Sequence, residues 1–158
     1  MNKKIKTLTS LTGIFAAARR KKKKVVFTNG CFDILHRGHV DYLNKAKALG
    51  DILIVAINSD SSVRKLKGPN RPITAQGDRA EILAGLESVD FITIFDEDTP
   101  AALINKLRPD ILVKGADWQK DKVVGKDIVE SSGGKVVLIK YLKGYSTSNI
   151  IAKINKNG

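Results

Sequence analysis

Cysteine is nearly absent. Cys31 is the sole one among 158 residues, so no internal disulfide framework can hold the fold. No apolar run approaches the roughly 18–20 residues of a membrane span. The amino-terminus does not read as a secretory signal, because Ala16–Ala18 leads into basic residues rather than a cleavage site. Together these absences make the cytoplasm the expected address. Acid is also scarce, with Asp+Glu 16 against Lys+Arg 28 and a formal net charge of +12. There are two histidines and one tryptophan. Apolar residues are not scarce: at 42% they exclude wholesale disorder. The length fits one domain, and a chain of about 150 residues buries roughly 68–70% of its unfolded surface without staples.

The positive charge is unevenly placed. Residues 1–24 hold nine bases (Lys3, Lys4, Lys6, Arg19, Arg20 and Lys21 to Lys24) and no acid. Subtracting those nine from +12 leaves +3 for the rest, so the body is nearly balanced. A basic stretch can touch nucleic acid or an anionic membrane. The plainer reading is a solvated, charged linker at a helix end. No aromatic residues interleave with the lysines, which argues against single-strand binding. The chain therefore divides into a basic helix or arm, 1–24, and a body, 25–158.

Leu8, Leu11, Ile14, Phe15 and Ala18 fall at helical spacing, predicting a helix over 8–20. Short apolar, β-branched runs then predict strands at 25–27, 51–57, 91–95, 111–113 and 136–139. Helices are expected at 38–49, ended by Gly50, and from Asp78 through Leu86, opened by a capping box with Glu81. Another should start at Thr99-Pro100 and stop before Pro109. A weaker signal places a helix at 122–131, ending near Gly133-Gly134, and a last helix is expected at 146–154. Gly68, Pro69, Pro72 and Gly77 make 61–77 mostly loop. Strands apolar on both faces, alternating with helices, imply a parallel sheet covered on both sides. Right-handed crossovers then favour an α/β, doubly wound, five-stranded sheet of order 3-2-1-4-5. Ligands bind such sheets beyond the carboxyl ends of the strands, where the strand order reverses.

The polar residues at those ends are the candidate site. After the first strand, His36 and His39 flank Gly38 at the start of a helix. Helix amino-termini bind anions, two imidazoles add donors for phosphate oxygens, and Gly38 lets a phosphate chain approach the backbone. A metal site of Asp33, His36 and His39 is the rival reading, disfavoured for want of a fixed nitrogen and sulfur set. The basic loop Arg64–Pro72 follows the second strand, with Arg79 beyond it. Its Lys65 and Lys67 could neutralise charge in phosphoryl transfer, although composition alone suits a solvated loop. After the fourth strand come Lys114, Gly115, Asp117 and Trp118. Trp118 either stacks on a base or fills the core, and a carboxylate such as Asp117 near phosphate suits hydroxyls or metal. Tyr145, Ser146, Thr147 and Ser148 open the last helix, as caps or as phosphate ligands.

The segment Gly30-Cys31-Phe32-Asp33-Ile34-Leu35-His36-Arg37-Gly38-His39 resembles the first signature of the cytidylyltransferase-like nucleotidyltransferases. The closing Ser146-Thr147-Ser148 resembles their last. The stretch Asn58-Ser59-Asp60 with Lys65-Leu66-Lys67-Gly68 and Arg71-Pro72 is similar to the heptose-phosphate adenylyltransferases among them. Residues 25–155 are covered. The resemblance implies a Rossmann-like nucleotidyltransferase fold and adenylyl transfer from ATP, with Mg²⁺, to a sugar 1-phosphate. The product would be ADP-heptose for bacterial surface polysaccharide. It assigns catalysis to His36 and His39, with help from Lys65, Lys67 and Arg79. Nucleotide contacts fall to Asn29, Gly30, Cys31, Phe32 and Gly38, and to the clusters at 114–118 and 145–148. Asp33, Asn58 and Asp60 are left for the acceptor. It also implies a homodimer. Relatives carry an arginine shortly before Gly144; here Lys140-Tyr141-Leu142-Lys143 stands instead, so Lys143 is the available charge. Two other readings remain: a cytidylyltransferase acting on glycerol 3-phosphate or a similar alcohol phosphate, and a non-catalytic nucleotide- or nucleic-acid-binding module using residues 1–24.

Overall fold

Five strands form where the apolar runs stand. A computed structural model describes residues 2–158. The strands are β1 (Val25–Gly30), β2 (Ile52–Asn58), β3 (Phe91–Phe95), β4 (Ile111–Gly115) and β5 (Lys135–Ile139). They pair in the predicted order 3-2-1-4-5, every pair parallel. Side chains alternate along a strand, so each strand feeds two cores. Val26, Leu53, Val55 and Ile57 face one, while Val25, Phe27, Ile54 and Ala56 face the other. The first is closed by α2 (Arg37–Lys47) through Tyr42, Leu43 and Ala46, and by α4 (Gln76–Ala84) through Ala80 and Leu83. The second is closed by α1 (Leu8–Arg20), α5 (Ala101–Leu107) and α6 (Lys126–Ser131).

The basic amino-terminal stretch packs on the body over much of its length. Thr7 caps α1 by accepting the Ser10 amide at 3.2 Å, and Leu11, Phe15 and Ala18 bury one face. Ahead of it, the Lys6 amide donates to Ile92 O (2.8 Å) and Ile92 to Lys4 O (2.9 Å), which covers the β3 edge. Arg19 donates to the carbonyls of Leu107 and Arg108 at the end of α5. Lys21 to Lys24 stay exposed, just ahead of β1.

Several boundaries differ from expectation. The segment predicted as loop begins with a helix, α3 (Asp60–Lys67), capped by Ser59 accepting the Ser62 amide. Its sequence is DSSVRKLK, and only Ser62 and Val63 are buried, so no apolar periodicity announces it. α4 starts at Gln76, without the Asp78–Glu81 capping box; Glu81 instead accepts the Asn2 amide at 3.1 Å. Pro100 is the residue before α5 rather than its first position. The weak helix at 122–131 splits into a 3₁₀ turn, Lys120–Lys122, and α6. Gly125 separates them at φ 90°, where a side chain would strike Ile104. The last helix, α7 (Thr147–Asn157), runs three residues past expectation. Among the described residues, no helix is long and apolar enough to cross a membrane.

Phe15 is 3% exposed. Phe15→Ala is therefore expected to cost about 3–5 kcal/mol of stability in denaturant unfolding. A change below about 1 kcal/mol would mean that α1 is not part of the folded core.

Candidate active site

Strands β1 and β4 are neighbours, yet their chains leave toward α2 on one side and α6 on the other. The crevice between these exits is a cavity of about 680 Å³. Its rim is built first by the turn after β1. Phe32 sits at φ 47°, a left-handed backbone rare for a bulky residue. Its ring folds back over Gly30, where a Cβ would lie 3.0 Å away, and packs 5.2 Å from His39. Asp33, 2% exposed, accepts Arg71 Nε at 2.6 Å and the amides of Ile73 (2.9 Å) and Thr74 (2.8 Å).

His36 then caps α2 in extended backbone (φ −142°), and His39 follows one turn later. The two imidazoles stack, centroids 3.9 Å apart and planes at 22°. His39 Nδ1 accepts the His36 amide at 3.4 Å. A neutral His39 with Nδ1 as acceptor carries its proton on Nε2, which leaves that N–H free to donate. His36 Nδ1 and Asn29 Oδ1 are buried without a protein partner, although both residues line the cavity. A Cβ on Gly38 would meet His36 Nδ1 and Tyr145 Cβ at 3.0 Å each. Gly38 is thus where the start of α2 touches the approach to α7. Ser146 caps α7 by accepting the Asn149 amide, and Thr147 Oγ1 donates to Ile34 O at 3.4 Å. Two helix amino-termini, each with unpaired N–H groups and partial positive charge, converge on one cavity.

Burial sets the electrostatics. It pushes His39 down to about 4, with the neighbouring His36 adding to the effect, and it lowers His36 too. Lys114 falls to about 8 for the same reason, despite Asp117 nearby. Its ammonium lies 3.4 Å from Asn29 O and 5.4 Å from the Trp118 ring centroid. Below it Thr28 donates to Val113 O and bonds the buried Tyr42 hydroxyl at 2.8 Å.

Most of the expected residues meet here. The cavity is lined by the turn from Asn29 to Asp33, by His36, Gly38 and His39, and by Asn58 and Lys67. Lys114, Asp117, Trp118 and the run Tyr145–Ser148 also line it. Four expected residues lie elsewhere. Lys65 is exposed and pairs with Asp98 at 3.5 Å. Arg79, 1% exposed, is buried as a brace: it donates to Cys31 O (2.5 Å), Thr74 O (2.9 Å) and Asp60 Oδ1 (2.8 Å). Asp60 is spent on that pair. Gly115 lies under the Tyr141 ring, which a methyl there would strike. Asp33 reaches the cavity wall with both carboxylate oxygens already bonded, so it is no free acceptor for sugar hydroxyls. Lys143 is absent from the lining. The sequence reading missed Arg71, Tyr42 and Tyr141, which line the cavity. Tyr42 reads as an ordinary helix core position, and Arg71 as part of a solvated basic loop. Among the described residues, no cluster of three or more His, Cys, Asp or Glu side chains could hold a metal ion.

The fold and cavity define an α/β protein with a parallel, doubly wound sheet and a polar crevice at its strand ends. The cytidylyltransferase-like family model matches residues 27–153, and the chain belongs to that family. It is 56% identical over 151 residues to the "Bifunctional protein HldE" of Geobacter metallireducens, covering 96% of this chain and 31% of that protein. With the protein of the same name from Paramagnetospirillum magneticum it shares 53% over 154 residues, 98% of this chain and 32% of the other. The chain thus spans about a third of the length of the curated relatives it matches. Among solved structures, the lipopolysaccharide core biosynthesis protein from Thermoplasma volcanium is similar at TM-score 0.63 and 31% identity, over 78% of this chain and 99% of that one. A pantoate-beta-alanine ligase from Francisella tularensis, at 18% identity and TM-score 0.59 over 96% and 76%, shares the fold.

An imidazole that resists protonation couples folding to pH. Below about 6.5 the unfolded chain binds a proton that folded His39 does not bind until about 4. Acid in that window therefore favours unfolding, and stability rises with pH across it. The slope of Tm against pH between these values should be shallower in His39→Gln than in the parent; equal slopes would contradict the shift.

Proposed function

We propose that this chain transfers the adenylyl group of ATP to D-glycero-β-D-manno-heptose 1-phosphate, releasing pyrophosphate and forming ADP-heptose. The observation that carries the reading is the pair of stacked imidazoles between two converging helix amino-termini. Support for the substrates comes from the resemblance of the motifs to heptose-phosphate adenylyltransferases. The relatives called bifunctional agree with it, since this chain matches about a third of each.

In the proposed step, a phosphate oxygen of the sugar attacks the α-phosphorus of ATP. One P–O bond forms, the bond from the α-phosphorus to the β-bridging oxygen breaks, and pyrophosphate leaves. The attacking oxygen is already anionic, so no strong general base is needed. The protein aligns two polyanions and stabilises charge at the α-phosphate and the leaving group. His39 offers Nε2–H without first gaining a proton, and His36 offers a second imidazole beside it. The backbone N–H groups at the start of α7 receive the β- and γ-phosphates together with the Ser146 hydroxyl, whose hydrogen is left free because Ser146 Oγ only accepts in the cap; the Thr147 hydroxyl is turned to Ile34 O. Lys114, lowered by burial only to about 8, already carries its charge near neutral pH, and an approaching phosphate would hold it there. Asp117 and Trp118 face the nucleoside, Asp117 as acceptor for hydroxyls.

Mg²⁺ would enter with ATP as its counter-ion, held mainly by phosphate oxygens with Asp117 the carboxylate within the nucleotide wall, and would neutralise charge on the leaving pyrophosphate. That arrangement fits a cavity whose donors are nitrogens rather than clustered carboxylates. The same reading carries a cytoplasmic location. It also carries a homodimer, for which α7 offers a helix with no buried side chain and Ile154 exposed.

Pyrophosphate release from a panel of nucleotides and phosphorylated acceptors tests the assignment. Turnover is expected with ATP plus the heptose 1-phosphate; preference for CTP plus glycerol 3-phosphate would overturn it. His39→Ala should lower kcat by about 10²–10³-fold with circular dichroism unchanged, and parental turnover in that variant would remove His39 from the mechanism.

A further inference from the structure

The cavity has two walls, and the mechanism uses one. On the β4–β5 side stand Lys114, Asp117, Trp118 and the start of α7. On the β2 side stand Asn58, the end of α3 with Lys67, and Arg71 on the connection to α4, with Asp98 to Pro100 beyond β3; the one carboxylate among these, Asp98, pairs with Lys65 at 3.5 Å. Arg71 is held there unusually firmly for an arginine on a Gly/Pro-rich connection. Its Nε donates to Asp33 Oδ2 at 2.6 Å, the side chains being 18% and 1% exposed. Asp33 also fixes the backbone two and three residues on, through the amides of Ile73 and Thr74. The buried Arg79 then joins Thr74 O to Cys31 O. The connection is therefore tied at two points to the turn that carries His36, so Arg71 and the imidazoles are positioned as one unit.

A guanidinium has five N–H donors. Asp33 takes the one on Nε. Among the described residues, no protein acceptor is hydrogen-bonded to Nη1 or Nη2. Asp33 has no capacity left to neutralise a second ligand, since Arg71, Ile73 and Thr74 occupy its oxygens. Arg71 thus turns a paired, oriented fork toward the cavity, which is the geometry that recognises a phosphate by two parallel bonds. The ATP phosphates are assigned to the imidazoles and to α7, across the cavity. An anion on the β2 wall is the other substrate.

We propose that Arg71 is the ligand for the acceptor's phosphate, binding it through Nη1 and Nη2, and that Asp33 is the positioning residue that aims it. This rests on the adenylyl-transfer reading above. A flexible ammonium would supply charge without the fork, and Lys67 on the same wall adds charge of that kind.

Calorimetric titration with the heptose 1-phosphate, and separately with ATP, is the test, alongside pyrophosphate-release kinetics. Arg71→Met should weaken sugar-phosphate binding roughly 10- to 100-fold and leave ATP affinity within about twofold. Arg71→Lys should recover only part of the loss. Asp33→Asn should weaken sugar-phosphate binding in the parent and add little in the Arg71→Met background, because it acts through Arg71. Unchanged sugar-phosphate affinity in Arg71→Met, or an equal loss for ATP, would overturn the proposal; full additivity with Asp33→Asn would overturn the positioning role. The two readings separate cleanly. If the parent binds the sugar phosphate through Arg71 but releases no pyrophosphate, the transferase reading falls and this one stands. If the parent turns over and Arg71→Met keeps its acceptor KM, this one falls alone. If the parent binds no sugar phosphate, both fall.

Discussion

Parallel strands can be joined only by crossovers, and the hand of those crossovers sends the chain to opposite faces of the sheet on either side of β1 and β4. The crevice at their carboxyl ends follows from that constraint. Every polar group of the candidate site hangs from it: the turn after β1, the polar cluster after β4, and the helix that follows β5. Two of the helices then begin at the crevice rather than end there. Their unpaired N–H groups aim positive potential inward with no side chain supplying it. Gly38 lets the second approach the first, because any side chain at that point would meet both His36 and Tyr145.

The charge of the chain is a poor guide to the charge of the site. A net charge of +12 suggests a surface that attracts anions everywhere. Within the cavity, however, the imidazoles are held neutral by burial and Lys114 is brought to about 8. The nearest full charge with fixed geometry is Arg71, and it is half committed to Asp33. The lysine run at 21–24 precedes β1 and so lies at the end of the sheet opposite the cavity. With the two imidazoles neutral, the resting fold carries fewer buried like charges than its residue count suggests.

Other charged residues serve the scaffold. Arg79 joins three segments with one buried guanidinium, and Asp60 is its partner. Arg19 closes the end of α5. Such residues look catalytic in a sequence because arginine near a phosphate motif is expected to touch phosphate. Burial decides otherwise: a guanidinium with three protein partners and 1% exposure has nothing to offer a ligand.

Strand positions, the 3-2-1-4-5 order and the place of the candidate site at the strand ends were legible in the chain itself. Apolar runs of three to seven residues flanked by Gly, Pro, Asn and Asp have few other ways to bury themselves, and the alternation with helices leaves little choice of topology. His36, Gly38 and His39 were legible too, since their spacing around a helix start is a local property. α3 was not, because a polar octapeptide with one buried valine carries no period, and its stability comes from the Ser59 cap and from β2 beneath it. Nor were the roles of Asp33, Arg71 and Arg79: the Asp33–Arg71 pair spans 38 residues, and Arg79 reaches Cys31 across 48 and Asp60 across 19. Local pattern can say which residues form strands and helix starts. Which of its charges face a ligand and which brace the backbone is settled only when distant segments meet, because a hydrogen bond between them depends on the tertiary fold and leaves no period in the sequence.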